Sequence, residues 1–190
     1  MADEDKKDRR DNSFIGAAGV HYAAYKLTRK GMLALPTVRN TPGTDLIVTS
    51  RDGRHHANIQ VKTSQYKRAK FWIICSAKKF EERELKASEN DYFLLLRPRR
   101  DDDAKVFLDS DGINEFEGFM LTAKEANQEL RAHLNYWKAQ GKSPNFSLCI
   151  WVDKSAKQEE WKLPTDSKAA WRNRWLHFEN IWSDELNANG

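Results

Sequence analysis

Asp45-Leu46-Ile47-Val48-Thr49-Ser50-Arg51-Asp52-Gly53-Arg54-His55-His56-Ala57-Asn58-Ile59-Gln60-Val61-Lys62 reads as two strands about one tight turn. The first run, Asp45 to Thr49, is short and rich in β-branched residues. Asp52-Gly53 supplies a turn position that tolerates positive φ. From His56 to Lys62 the pattern alternates. Ala57, Ile59 and Val61 fall on one face, and His56, Asn58, Gln60 and Lys62 on the other. The apolar face is expected to pack on a helix, and Gln60 and Lys62 to share a cleft. Such a hairpin carries Asp45, Gln60 and Lys62 to one sheet edge. An acid and a lysine on adjoining strands can hold a divalent cation and an attacking water against a phosphodiester.

Charge along the chain points the same way. The net charge is +4, yet residues 13–70 hold ten basic side chains against two acids, Asp45 and Asp52. That stretch is +8 and the remainder is −4, so the hairpin segment is the part expected to face a polyanion. Arg29, Lys30, Arg39, Lys67, Arg68 and Lys70 are the candidate phosphate contacts, with Asn58 and His56 on the cleft face beside them. No helix-turn-helix or zinc-finger signature is present.

A chain of 190 residues is expected to form one domain with at most an appendage, and 39% apolar residues suffice for its core. Met1 to Asn12 is almost wholly charged or polar and lacks the apolar stretch of a secretory signal. No apolar run approaches membrane-spanning length. The expectation is a soluble, cytoplasmic protein with no membrane partner. Cys75 and Cys149 each lie in an apolar run and read as buried free thiols. With no CxxC or HxxxH pair, zinc is not expected.

Around the hairpin, residues 1–12 read as a disordered charged tail. Ser13 is expected to cap a helix that runs to Lys30 and stops at Gly31. Its small residues, from Gly16 to Ala24, allow close approach to the sheet. Leu33 to Gly43 reads as a loop. Phe71 to Cys75 reads as a buried central strand and Tyr92 to Leu96 as another. Ala77 to Asn90 is a solvated helix or a loop. Asp101-Asp102-Asp103 reads as a solvated turn in preference to a metal site, and Lys105 to Leu108 as a strand. Thr122-Ala123-Lys124-Glu125 is a capping box opening a helix with Leu130, Leu134 and Trp137 on one face, ended by Gly141. Ser147 to Val152 is a last strand. Ser167 to Leu186 is expected to be helical. Its stripe of Trp171, Trp175, Phe178 and Trp182 reads as a face docked on the core in preference to a base-stacking platform.

Pro42-Gly43-Thr44-Asp45-Leu46-Ile47-Val48, Ile59-Gln60-Val61-Lys62-Thr63-Ser64 and the helix Gly19-Val20-His21-Tyr22-Ala23-Ala24-Tyr25-Lys26-Leu27 carry a resemblance. In this order they resemble the PD-(D/E)XK phosphodiesterase superfamily, in its Gln-x-Lys variant, as in Mrr-like restriction endonucleases. The likeness covers Ser13 to about Leu108 and nothing after Gly141. It implies an α/β, restriction-endonuclease-like fold, a mixed central sheet flanked by helices, over residues 13–153. Residues 154–190 would then be a Trp-rich helical C-terminal extension.

The resemblance also implies site roles. Asp45, Gln60 and Lys62 would be catalytic, and Asp45, Gln60 and the Val61 carbonyl would hold Mg2+ or Mn2+. The substrate would be DNA, in defence or mobile-element biology by analogy. Many relatives act as homodimers, and the sequence marks no interface. One departure stands out. Members commonly carry a glutamate in the first helix, and the register puts that position at Val20. Residues 13–44 contain no acid, and His21 is rotated about a quarter turn from the expected direction. A nuclease-fold module that binds nucleic acid and cuts slowly or not at all is therefore the second reading. A third is an interaction protein docking a partner through the Trp-rich tail.

Overall fold

The computed structural model describes residues 2–38, 43–65, 69–85, 87–98, 116–152, 171–172 and 174; the side chains of 2–12 are outside that description. Ten elements are present among the described residues. They are α1 (Ala2–Arg29), β1 (Leu33–Pro36), β2 (Leu46–Thr49), β3 (His56–Thr63), β4 (Phe71–Ser76), α2 (Ala77–Glu82), β5 (Asp91–Pro98), β6 (Phe116–Thr122), α3 (Ala123–Ala139) and β7 (Ser147–Trp151). β1, β2, β3, β5 and β6 form one sheet in that order, and β4 pairs with β7 in a second. Only β3 and β5 run parallel; the other pairs are antiparallel.

The expected hairpin is present, with Leu46 opposite Ile59 and Thr49 opposite His56. Its turn spans Ser50 to His55. Gly53 sits at φ 71°, and the Asp52 carboxylate accepts from the Ser50 hydroxyl and the Arg54 N–H. Ala57, Ile59 and Val61 are buried with Tyr22, Ala23 and Leu27 of α1, so the apolar face of β3 packs on the helix as its alternation demands. The helix comes so close that a Cβ at Gly19 would overlap the Thr63 side chain.

β5 is buried on both faces. Leu94 and Leu96 join the core under α1. Phe93 and Leu95 join a second core with α3, the β4–β7 ribbon and Trp171. A strand covered on both sides shows the continuous apolar run seen from Tyr92 to Leu96.

Several expectations are corrected. α1 begins at Ala2, so Ser13 lies inside the helix, not at its cap. Leu33–Pro36 is a strand because it pairs along the free edge of β2, a long-range partner that no local pattern announces. Phe71 to Cys75 is not in the central sheet; among the described residues β4 pairs only with β7 and leaves Phe71 and Ile73 exposed. The charged stretch after it holds one short helix, α2, capped by the Ser76 hydroxyl. β6 has no counterpart in the sequence reading. Cys75 and Cys149 are free but only half-buried. The strand expected at Lys105 to Leu108, the aspartates 101–103, and Trp175, Phe178 and Trp182 lie outside the described residues.

Candidate functional site

β2 stops where β3 continues, and Asp45 stands at that step. Its backbone N–H donates to the Ile59 carbonyl at 2.9 Å. Its Oδ2 accepts from the Val61 N–H at 2.8 Å. The carboxylate thus replaces a ladder carbonyl and is fixed in orientation beside Val61. In a strand the N–H and C=O of one residue point to the same side, so the Val61 carbonyl faces the edge that Asp45 occupies. Gln60 and Lys62 flank Val61 along the chain and are both half-buried.

Parallel register pairs Gln60 with Phe93 and Lys62 with Leu95, which places both polar residues on the α3 side of the sheet. Lys62 lines a cavity of about 730 Å3 together with Ser64, Lys70, Phe71, Ile73 and Trp151. Burial pushes the Cys75 thiol up, against smaller downward effects of Lys79 and Lys62. Cys149 is pushed up to about 11, chiefly by burial. Both thiols therefore stay protonated near neutral pH.

The cavity lip is anchored by a residue that sequence reading passed over. Arg97 is fully buried. It continues the face of Phe93 and Leu95 and pairs with Glu117 on β6, with Nε and a terminal nitrogen each 2.8 Å from Oε2. Another terminal nitrogen donates to the Ala69 carbonyl at 2.5 Å, fixing the backbone that leads into Lys70 and Phe71. Arg172 meets the other Glu117 oxygen at 3.0 Å, and both guanidiniums lie over the Phe119 ring. The available signal was a charge extending an apolar run at Leu96-Arg97, in register with a buried face.

The remaining candidates divide. Val20 packs against the core between α1 and the sheet, and His21 is exposed. Among the described residues no three His, Cys, Asp or Glu side chains cluster as a metal site. Asn58 donates its amide to Asp91 at 2.9 Å, a structural role at the start of β5. Arg29 and Lys30 end α1 just before Leu33, which pairs with Thr49 at the turn end of the hairpin. Lys62 and Lys70 lie at the other end of β3, roughly 20 Å away along an eight-residue strand. Among the described residues, Arg29 and Lys30 therefore stand apart from Lys62 and Lys70. Arg39, Lys67 and Arg68 lie outside the described residues. No helix among the described residues is long and apolar enough to cross a membrane.

No family model and no curated protein matches the chain. Among solved structures, a bacterial homing endonuclease aligns with a TM-score of 0.48 and 11% identity, over 92% of this chain and 97% of that one. At that level the likeness transfers no residue role and no activity.

Proposed function

We propose that this chain is a metal-dependent endonuclease that hydrolyses phosphodiester bonds of DNA at the Asp45–Lys62 edge. The observation that supports the reading is the docking of the Asp45 carboxylate on the Val61 N–H, one residue from a lysine that lines a cavity. Asp45, the Gln60 amide oxygen and the Val61 carbonyl are all oxygen donors, the set that suits Mg2+ or Mn2+. A set with one formal charge relies on water and substrate phosphate to complete the shell. When bound, such an ion lowers the pKa of a coordinated water and neutralises charge on phosphoryl oxygens. Asp45, held by its backbone partner, keeps its carboxylate oriented along the strand edge. Lys62 supplies positive charge where negative charge develops on the phosphoryl oxygens.

A second reading, a nucleic-acid-binding module without cleavage, is favoured by one observation: the position expected for a helix acid is Val20, packed in the core. Nicking of supercoiled plasmid with Mg2+ or Mn2+ separates the two. Wild type should nick, and Asp45→Ala and Lys62→Ala should each lose about a hundredfold or more. An inactive wild type that binds DNA tightly and salt-sensitively supports the second reading. Activity that survives both substitutions removes the site assignment altogether.

A further inference from the structure

We infer that the cavity beside Lys62 receives an unpaired nucleotide, so that the substrate class is DNA with single-stranded or flipped-out bases and not uniform duplex. The inference deepens the proposed function and rests on its claim that the Lys62 edge faces nucleic acid. The two chemistries of a nucleotide are both present. One wall is apolar and aromatic: Phe71 and Ile73 are 43% and 59% exposed, and the Phe71 and Trp151 rings meet across β4 and β7, tilted by 37° with centroids 4.6 Å apart. Lys62 and Lys70 supply cations on the same lining.

The volume agrees with that occupant. About 730 Å3 falls within the range of about 300–1,000 Å3 for small-ligand sites. An apolar peptide would use the aromatic wall and waste the lysines. Intact duplex would use the lysines and not the wall, because its base faces are buried in its own stack. An unpaired nucleotide uses both, with its base on the rings and its phosphate at the ammonium groups.

The test is fluorescence anisotropy of the full chain in EDTA, with labelled oligothymidylate and a blunt duplex of equal length. Wild type should prefer the single strand. Phe71→Leu, at a position already half exposed, should narrow that preference about tenfold, and Phe71→Tyr should keep it. Equal affinity of wild type for both probes overturns the inference, as does a preference that Phe71→Leu leaves intact. Because EDTA removes cleavage from the assay, the preference reads binding alone. Plasmid nicking without that preference sinks the inference and leaves the nuclease reading standing. Preference without nicking does the reverse.

Discussion

Single side chains set the close approaches of this molecule. Gly19 lets α1 lie against Thr63, and any Cβ there overlaps the threonine hydroxyl. Gly19→Ala should cost about 1–3 kcal/mol in chemical denaturation, and Thr63→Ala in the same chain should recover part of the loss. Arg97 is the reverse case, a long cation enclosed by Glu117, Ala69 and Phe119. Arg97→Ala leaves Glu117 short of a partner and should cost about 3–5 kcal/mol by urea titration. His133 is buried between α3 and β7, where its Nδ1 accepts from the Cys149 N–H at 3.2 Å. Burial pulls its pKa down to about 4 from 6.5. The unfolded chain therefore binds this proton first as pH falls. Stability from this group is complete above about pH 6.5 and is lost on descending toward about pH 4, by up to about 3 kcal/mol. Urea midpoints across that window should fall for wild type and flatten in His133→Gln.

Among the elements, α3 is the one whose start and stop follow local rules. Thr122 and Glu125 form the reciprocal capping box, Leu130 and Leu134 face the core, and Gly141 follows the helix end at φ 70°. Glu125 does more than cap. It also accepts from Trp171 Nε1 at 3.4 Å and meets Arg174 at 3.1 Å. Thr122→Ala should therefore cost about 1 kcal/mol, and Glu125→Ala should cost more in the same thermal melt, because it frees the segment around Trp171 as well as the cap. The β4–β7 ribbon obeys no such local rule. Its apolar run resembles a central strand, yet its pairing with β7 leaves Phe71 and Ile73 open to the cavity.

At the scale of the whole molecule, one five-stranded sheet separates two cores, and Trp171 completes the second of them. Trp171 is thus part of the core, as expected of the first residue in the aromatic stripe. Trp171 is 1% exposed, and Trp171→Ala should cost about 3–5 kcal/mol. A chain ending at Val152 should be insoluble or should melt at markedly lower temperature than one ending at Arg174, as read by calorimetry. Equal melting of the two would show that the Trp171 contact contributes nothing.

The sequence by itself determined the hairpin, the alternation of β3, the two-sided burial of β5 and the cap of α3. Each depends on residues within a few positions of one another, where turn chemistry and side-chain period act directly. It also placed Asp45 and Lys62 on neighbouring strands, since the turn length and the strand period leave little freedom. Only the tertiary structure decided the partner of β4, the strand at Leu33–Pro36, the separation of Arg29 and Lys30 from Lys62 and Lys70, and the burial of Arg97. Those outcomes depend on which distant surfaces meet, and a charge or an apolar run carries no record of its partner until the chain has closed around it.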